Sequence, residues 1–490
     1  MNPELIDSDL TPRAVLERWP RSRPLAALWS GGGSPRARWT ILAEPEPGPM
    51  STALDHGDAK SSLHAALSSL CNSSSVQGRG QPGGASDDNL DAPPFVGGWI
   101  GLITYDQGRD LEPTARPAND RPAFDEPSAG QSTESWPGAT FFRCNTALAY
   151  DHGRARWWSI GRGSEILQQI SSATKPSPQE FQVGPVRSRT SRARFLASVE
   201  RVLDYIRAGD VYQVNLAHQL TGSFCGSSRA LFATLADAAK PWYGGYLELQ
   251  PANGPLFADR RAALCMSPEL FVEFDPRTRS VLTRPMKGTR PGHGSAEELW
   301  AAPKDNAELA MIVDLMRNDL GRVCSFGSVH VSEPRLIERH GSVLPIASSA
   351  TSSGAAGVLQ AVAEVQGTLR PGLGIADLLV ATLPGGSVTG APKVRAMQII
   401  DELEPVARGP YCGCVGFISD GGHAAFNIAI RTALVQGRPG ASGLDEIETG
   451  TLCYSVGAGM VADSDPESEW RETLDKASVL EKVTRIVDER

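Results

Sequence analysis

Hydrophobic residues in the second half of the chain follow first a helical and then a strand spacing. Over residues 194–207 they recur three and four positions apart, which places them on one helical face, and Gly209 supplies a natural helix end. The next segment, VYQVNLAHQL, alternates and therefore predicts a strand. Its apolar face carries Tyr212, Val214 and Leu216, and its other face, which could line a polar cavity, carries Gln213, Asn215 and Ala217.

The rest of the chain predicts a mixture of helices and strands. The strand-like runs PFVGGWIGLITY and TFFRCNTALAY lie in the N-terminal part, among stretches rich in Gly, Pro, Ser and Asp that predict loops. We expect an α+β fold with packed sheets. The predicted loops span 72–94, 109–137 and 171–189, the predicted helices span 304–320, 358–365, 391–403 and 467–483, and the predicted strands span 270–274, 414–418 and 425–434.

Composition and charge argue against several classes of protein. The 490 residues, 41% of them hydrophobic, suffice for a large core, and the net charge of −9 argues against a broad surface for nucleic acid or an anionic membrane. The sequence has neither a secretory signal nor a run long enough to span a membrane, so we expect a cytoplasmic protein. The eight cysteines lack the paired spacing of structural zinc sites, and we expect no disulfides.

Two acidic pairs far apart in sequence are the strongest chemical signal. Asp305 and Glu308 are three residues apart in one predicted helix, as are Glu469 and Glu472 in another, so each pair projects two carboxylates from one face. If the two helices face each other, the carboxylates repel one another unless a hard cation such as Mg²⁺ lies among them. The alternative is two solvated helix faces, and spacing alone favours that alternative.

Two glycine-containing segments are candidates for ligand contacts. In YSVGAGMVADS, the Gly-Ala-Gly at residues 457–459 could bring backbone amides against a carboxylate. PGGSVTGAPK is not a nucleotide-binding loop, because an alanine and Pro392 stand where lysine and a hydroxyl residue are needed. Pro392 fits the first turn of a helix, and Thr389 either caps that helix, which the residues favour, or touches a ligand.

Lys287 and Glu269 are candidates for covalent and acid catalysis. Lys287 stands between methionine and glycine in TRPMKGTR, and a lysine in a partly apolar pocket can lose its proton near neutral pH and act as a nucleophile. Glu269, in SPELFVEF, is a candidate general acid. An exposed lysine and an ordinary carboxylate at a strand end are the more frequent cases, and both alternatives stay open.

A series of segments from about residue 191 to residue 480 resembles the chorismate-utilising enzymes. This family includes anthranilate synthase large subunits and aminodeoxychorismate, isochorismate and salicylate synthases. The segments occur in the family's order, which makes the resemblance specific: GDVYQVNLA, SPELF, RPMKGTR, AELAMIVDLMRNDLGRV, LPGGSVTGAPKVRAMQIIDELEP, GPYCGCVGF, NIAIRTA and GAGMVADSDPESEWRETLDKA.

The resemblance implies a fold and a set of site residues. The fold is that of anthranilate synthase component I, two packed antiparallel β-sheets surrounded by helices, with an N-terminal region over 1–190 and a chorismate-binding catalytic region over 191–485 in one globule. Glu308 and Glu472 would bind Mg²⁺ directly, while Asp305 and Glu469 would hold metal-bound water. The residues implied for chorismate are Gln213, Thr289, Thr389, Tyr411, Arg431, Gly457, Ala458, Gly459 and Lys476, among which Tyr411 and Arg431 match positions that bind a substrate carboxylate.

Lys287 distinguishes the branches of this family. Anthranilate, isochorismate and salicylate synthases generally have alanine at this position, whereas aminodeoxychorismate synthases have lysine. Gln213 stands where the water-adding members have a lysine base. The resemblance therefore implies that Lys287 attacks the ring of chorismate while Glu269 acts as general acid, and that ammonia then displaces the lysine to give 4-amino-4-deoxychorismate for para-aminobenzoate and folate synthesis.

The resemblance also implies a partner and leaves alternatives. Ammonia would come from a glutamine amidotransferase on a separate chain. Anthranilate synthase component I and a non-catalytic chorismate-binding regulatory protein stay open as other functions. Residues 29–31, Trp-Ser-Gly, match stretches that form a tryptophan pocket in some relatives, and the sequence does not decide between that role and structural packing.

Two positions depart from the family pattern. Many members have a histidine that is thought to assist the leaving hydroxyl, and the sequence places Leu344 and Pro345 there, neither of which transfers a proton. His340 lies nearby in a different register and is not assigned that role. Ala425 replaces an acidic residue that often precedes the IAIRT segment.

Overall fold

The computed structural model describes residues 2–48, 50–52, 59–73, 92–112, 136–172, 180–249, 259–291, 294–341 and 358–487. Leu344, Pro345 and most of the predicted loops 72–94 and 109–137 lie outside these residues. Within them, the strands form a fourteen-stranded and a ten-stranded sheet with helices around them. The α+β architecture of two antiparallel sheets with surrounding helices is therefore confirmed.

The fourteen-stranded sheet combines strands from both ends of the chain. All of its strands pair antiparallel except β10 and β24, which pair parallel. Its strands, in chain order, are β1 (Glu4–Ile6), β2 (Ala26–Trp29), β3 (Trp39–Glu44), β7 (Thr146–Asp151), β8 (Arg156–Ile160), β9 (Phe181–Val183), β10 (Val186–Ser188), β11 (Gln213–Ser227), β12 (Gly244–Leu249), β13 (Arg260–Cys265), β19 (Gly390–Ala391), β22 (Thr432–Pro439), β23 (Glu446–Met460) and β24 (Ile486–Val487).

The ten-stranded sheet is antiparallel throughout, and it too takes strands from the N-terminal part of the chain. The division between regions 1–190 and 191–485 stays a prediction. Its strands are β4 (Met50–Thr52), β5 (Gly98–Ile103), β6 (Ala139–Cys144), β14 (Leu270–Asp275), β15 (Ser280–Thr283), β16 (Met286–Pro291), β17 (His330–His340), β18 (Val358–Thr368), β20 (Cys414–Ser419) and β21 (Ala424–Ile428).

The helices lie around the sheets, and two of them carry the predicted acidic pairs. They are α1 (Pro12–Arg18), α2 (Ala59–Ser73), α3 (Tyr105–Leu111), α4 (Gly163–Ser172), α5 (Arg192–Arg207), α6 (Ser228–Ala239), α7 (Ala296–Ala301), α8 (Pro303–Gly321), α9 (Ile375–Thr382), α10 (Lys393–Leu403) and α11 (Pro466–Lys476). Short 3₁₀ turns cover Pro35–Ala37, Gly386–Val388 and Ser478–Lys482.

Local spacing accounts for α5 and α8. The Ser191 hydroxyl accepts a hydrogen bond from the backbone N–H of Arg194 and caps α5, whose buried Phe195 and Val199 lie on the predicted apolar face. Pro303 begins α8, where its missing N–H costs nothing. Burial of Leu309 and other apolar side chains of α8 in the main core fixes which way its acidic residues face.

Four details of the predicted elements are wrong. The predicted helix over 358–365 is strand β18, which pairs with β15, β16 and β17, so tertiary pairing overrides local spacing. The predicted strand over 425–434 is two strands, β21 and β22, separated near Arg431, which has a φ of 51°. The predicted helix over 467–483 ends at Lys476. Tyr212 lies before β11 and is 71% exposed.

Helix α10 begins differently from the prediction. It starts at Lys393, with Pro392 at the N-cap position and no side-chain cap, so Thr389 does not cap it. The Thr389 hydroxyl instead donates to the backbone carbonyls of Gly385 (3.0 Å) and Gly386 (3.3 Å). Its hydroxyl proton is therefore used within the preceding 3₁₀ turn.

Candidate active site

Strands from both sheets bring Lys287, Gln213 and Gly459 together. A Cβ atom placed on Gly459 would lie 2.8 Å from Lys287 Nζ, 2.7 Å from Gln213 Nε2 and 3.1 Å from Asn215 Oδ1. Two of these distances are below 3.0 Å, so a side chain at this position would displace the ends of Lys287 and Gln213, whereas glycine lets them approach β23. The polar face predicted for β11 thus meets the lysine predicted from RPMKGTR.

A bulge in β16 lies beside Lys287. Lys287 pairs with Ala361 and Thr289 with Gln360, which leaves Gly288 as the extra residue. Gly288 has a φ of 81°, and a Cβ there would lie 2.8 Å from Cγ of Asp305. Glycine is needed both for this backbone conformation and for the close approach of helix α8 to the bulge.

Carboxylates from two helices act on the Lys287 amine. Glu308 Oε2, on α8, lies 3.8 Å from Lys287 Nζ, and both side chains are nearly buried. Burial lowers the pKa of Lys287; Glu308 and Glu472 oppose this effect, whereas the positive charge of Lys476 adds to it. The solvated-face alternative therefore does not hold for Glu308, whereas Glu472 of α11 is half exposed and acts on the same amine through its charge.

Glu269 is a buried carboxyl group next to this amine. It lies just before β14, and its Oε1 accepts a hydrogen bond of 2.6 Å from the Ser387 hydroxyl. Burial raises the pKa of Glu269 to about 7, although Ser387 and the positive charge of Lys287 act in the opposite direction. A carboxyl group that holds its proton near neutral pH can serve as a general acid.

Gln213 has unmet hydrogen-bonding capacity. Its side chain is fully buried, and neither its Oε1 nor its Nε2 has a hydrogen-bond partner in the part of the chain that the structure describes. Asn215, two residues further along the same face, donates from Nδ2 to the Ser387 carbonyl at 2.6 Å. Buried amides usually find partners, so Gln213 is poised for a polar ligand beside Lys287.

The acidic side chains assigned to a metal site are partly paired with basic residues. Arg290 donates to Asp305 at 2.7 Å, and Lys476 lies 2.8 Å from Glu472. Glu469 accepts a hydrogen bond of 2.6 Å from Ser464. Among the described residues, no group of three or more Asp, Glu, His or Cys side chains is arranged to hold a metal ion.

The donor chemistry nevertheless suits a hard cation. The charges of Glu308 and Glu472 both act on Lys287, and carboxylate oxygens are the ligands that Mg²⁺ prefers. The ion pair between Glu472 and Lys476 is half exposed, which makes it weak and easily exchanged. The metal roles of the four acidic residues stay predictions.

Arg431 and Tyr411 are the residues predicted to bind a substrate carboxylate, and that role stays a prediction. Burial lowers the pKa of Arg431, opposed by Tyr454, and no carboxylate forms an ion pair with Arg431 in the described segments. The Tyr411 hydroxyl would lie 3.1 Å from a Cβ on Gly457. A partly buried guanidinium without a carboxylate partner favours an incoming carboxylate.

The other predicted contacts differ in what they offer. Lys476 Nζ donates to the Gly457 carbonyl at 2.8 Å, and Thr289 Oγ1 accepts from Gln360 Nε2 at 3.4 Å. Ala458 has its side chain in the core, so only its backbone is available to a ligand. Trp29 ends β2, and the Ser30 hydroxyl donates to the Ala37 carbonyl; a tryptophan pocket at residues 29–31 stays a prediction.

Comparison with known proteins identifies the family. Residues 47–482 match the family model described as chorismate binding enzyme. This chain belongs to that family.

Relatives of the chain within this family are named for different activities. Aminodeoxychorismate synthase component 1 of Klebsiella aerogenes is 35% identical over 79% of this chain and 76% of that protein. Anthranilate synthase component 1 of Thermus thermophilus is 32% identical over 81% of this chain and 79% of that protein. The crystal structure of anthranilate synthase component I from Streptococcus pneumoniae superposes with a TM-score of 0.64 at 24% identity, covering 91% and 92% of the two chains, which confirms the expected fold.

For this chorismate-binding enzyme, the sequence analysis did not find two of the polar side chains around the site. Ser387, which holds Glu269, was visible only as part of PGGSVTG, and nothing local distinguishes it from a loop serine. Gln360 lies in the segment that was predicted to be a helix, so its proximity to Thr289 was hidden. No helix among the described residues is both long and apolar enough to cross a membrane.

Proposed function

We propose that this chain is the synthase subunit of an aminodeoxychorismate synthase, which replaces the ring hydroxyl of chorismate with an amino group. The observation that carries the proposal is Lys287, a buried amine with a lowered pKa lying against Gly459 and Gln213. Such an amine is a nucleophile when neutral. Relatives that carry the name aminodeoxychorismate synthase component 1 support the same choice.

The first chemical step joins Lys287 to the ring. The lone pair of Nζ forms a bond to the ring carbon, the double bond shifts, and the bond between the ring and the hydroxyl oxygen breaks. Glu269, protonated because burial raises its pKa to about 7, gives its proton so that water leaves. The enolpyruvyl group is untouched.

The second step releases the lysine. The nitrogen of ammonia forms a bond to the carbon that lost its hydroxyl, the double bond shifts back, and the bond from the ring to Nζ breaks, which returns Lys287 as a neutral amine. The new ammonium group then passes one proton to the Glu269 carboxylate, so that the acid is restored for the next turnover. Dividing one difficult displacement into two is the benefit of covalent catalysis.

The remaining residues of the site hold the substrate. Arg431 and Tyr411 would bind one carboxylate of chorismate, and the backbone at Gly457 another polar group. Glu308 and Glu472 would hold Mg²⁺, with Asp305 and Glu469 close by. When bound, the metal offsets the negative charge of the ring carboxylate. Ammonia would come from a glutamine amidotransferase on another chain.

Product analysis tests the proposal. Purified protein is incubated with chorismate, Mg²⁺ and ammonium salt, and the product is identified by mass and chromatographic retention. We expect 4-amino-4-deoxychorismate from wild type and none from Lys287→Ala, while the matched surface variant Lys482→Ala keeps the activity. Omitting ammonia should leave chorismate-derived mass on wild type and none on Lys287→Ala.

Other outcomes favour the alternatives. Anthranilate as product would identify an anthranilate synthase. Chorismate binding with no consumption at saturating ammonium would identify a non-catalytic binding protein. Unchanged turnover and product in Lys287→Ala would rule out the lysine as the nucleophile.

A further inference from the structure

A buried ion pair lies just after helix α10. Glu404 follows the last residue of the helix, and Arg408 is four residues further along the chain. Arg408 Nε donates to Glu404 Oε2 at 2.9 Å, and Arg408 Nη2 donates to Glu404 Oε1 at 2.6 Å. Both residues are buried, and the guanidinium lies over the ring of Tyr105, 4.5 Å from its centroid. The two parallel bonds are the geometry in which arginine and a carboxylate interact most strongly.

The Glu404–Arg408 pair binds the backbone of β11. Arg408 Nη2 donates to the Asn215 carbonyl at 2.8 Å, and the Ala217 amide donates to Glu404 Oε1 at 2.8 Å. The other edge of β11 pairs here with residues 457–459 of β23, which belong to the candidate site. The ion pair therefore takes the place of a neighbouring strand along the edge of β11 that faces away from β23.

The same guanidinium binds the 3₁₀ turn that carries Ser387. Arg408 Nη1 donates to the Val388 carbonyl at 2.8 Å. The neighbouring Ser387 carbonyl accepts from Asn215 Nδ2 at 2.6 Å, and the Ser387 hydroxyl donates to Glu269 at 2.6 Å. One side chain thus joins β11 to the turn, at the point where the turn contacts Glu269.

Stability alone is a weak reason to bury this pair. Removing two charges from water costs free energy that their mutual attraction often does not exceed, and apolar residues can replace such pairs without loss of stability. The guanidinium, however, is a rigid plane of five N–H donors, and in Arg408 these donors contact three segments of the chain. A rigid group with bonds in three directions determines how those segments lie relative to one another.

We propose that the Glu404–Arg408 pair positions Glu269, an inference that rests on the proposed role of Glu269 as the general acid. Arg408 fixes the turn against β11, and the turn in turn holds the Ser387 hydroxyl on the Glu269 carboxyl group. Arg408 is therefore a positioning residue, which acts on the acid through Ser387.

Several groups face Glu269, and each has a defined effect on it. Besides burial, the Ser387 hydroxyl, the positive charge of Lys287 and the backbone N–H of Met286 act on the pKa of Glu269, and all three lower it. The nearby Cys412 thiol has a pKa raised to about 12 by burial, so it is uncharged near neutral pH. Loss of the Ser387 bond would raise the pKa of Glu269 further, because that bond favours the carboxylate.

The test compares two buried arginines. Arg408→Lys keeps the positive charge but replaces the planar group with one ammonium group, which cannot bind Glu404, β11 and the turn together. Arg229→Lys is the matched control, because Arg229 is also buried and binds both oxygens of Glu248, at 2.5 and 3.0 Å. Arg229 lies on α6 and Glu248 on β12, which carry none of the residues assigned to the candidate site. Ser387→Ala and its double variant with Arg408→Lys complete the set, and thermal melting checks folding.

The protonation of Glu269 is followed directly in the free protein. The infrared carbonyl band of the buried carboxyl group is recorded against pH, and its absence from Glu269→Gln assigns it. We expect the midpoint to rise by about one pH unit in Ser387→Ala and in Arg408→Lys, the tenfold change expected for one lost hydrogen bond. The double variant should show the shift of Ser387→Ala alone, because both changes remove the same bond, and Arg229→Lys should show none.

The rate of adduct formation from chorismate without ammonia is measured over the same pH range. This step needs the protonated acid, so the fall in its rate at high pH should move upward together with the infrared midpoint. Arg229→Lys should keep the wild-type profile. Leaving out ammonia keeps the titration of ammonium from contributing to the profile.

The outcomes separate the positioning role from the proposed function. If the wild type forms neither adduct nor aminated product, the proposed function fails, and the infrared midpoints alone decide whether the pair positions Glu269. An unchanged midpoint in Arg408→Lys, or a shift that adds to that of Ser387→Ala, overturns the inference. An equal shift in Arg229→Lys also overturns it, because general loosening would then be the cause. If Arg408→Lys does not fold, Glu404→Gln, which weakens the same ion pair, is measured in its place with the same expected shift.

Discussion

Replacing Glu269 with glutamine should stabilise the protein while it removes the general acid. Glu269 is 3% exposed, and its Oε1 accepts from Ser387. Glutamine has nearly the same shape and keeps a carbonyl oxygen for that hydrogen bond, but it never has to be buried as an anion. In the native protein, ionisation of Glu269 costs free energy because the carboxylate is buried.

The size of the effect follows from the pKa of Glu269. Burial raises that pKa from an ordinary 4.5 to about 7. Between these values the folded protein holds a proton that the unfolded chain releases, so the free energy of unfolding falls as the pH rises. Each tenfold change in proton affinity is about 1.4 kcal/mol. Above pH 7 the free energy of unfolding of the wild type should therefore be about 3 kcal/mol lower than that of Glu269→Gln because of this titration. Below pH 4.5 the carboxyl group is protonated in both the folded and the unfolded protein, and this contribution disappears.

Urea denaturation from pH 4.5 to 8, followed by tryptophan fluorescence, measures this difference. Glu297→Gln is an exposed control, because the Ser295 hydroxyl, 2.8 Å away, lowers the pKa of Glu297 below its ordinary 4.5. Glu297 is therefore ionised in both the folded and the unfolded protein over most of this pH range, and the difference in the free energy of unfolding between this control and wild type should stay constant there. A free-energy difference between Glu269→Gln and wild type that stays constant over this pH range would refute the reasoning.

Two further predictions concern the geometry of the site. Gly459→Ala should reduce turnover by roughly a hundredfold without unfolding the protein, because its Cβ would lie 2.8 Å from Lys287 Nζ and displace the amine. Single-turnover kinetics measure the turnover, and thermal melting measures the stability. Near-normal turnover would show that the amine does not need its close contact with residue 459. Ser387→Ala removes a hydrogen bond that lowers the pKa of Glu269, so the fall in kcat/KM above pH 7 should move to higher pH; a fall at unchanged or lower pH would contradict this role.

Local sequence supplied candidate groups, but it did not decide their roles. Residue type and spacing made Lys287 and the acidic pair with Glu308 candidates while favouring an exposed lysine and solvated helix faces, and only the resemblance preferred a site. The structure places Lys287, Gln213 and Glu308 in one region. The architecture followed from the resemblance and from alternating patterns along the strands. These features succeed because they depend on residues close together in sequence.

Tertiary structure alone decided which groups meet and what charge they carry. Residues 358–365 have a spacing that fits a helix, yet they form part of β18, because three neighbouring strands satisfy the backbone groups of that strand. That strand brings Gln360 opposite Glu338, a pairing with no local signature in the sequence. The pKa of Glu269 rises because the fold excludes water from it. Burial and cross-strand pairing arise from residues far apart in the chain, and no local pattern contains them.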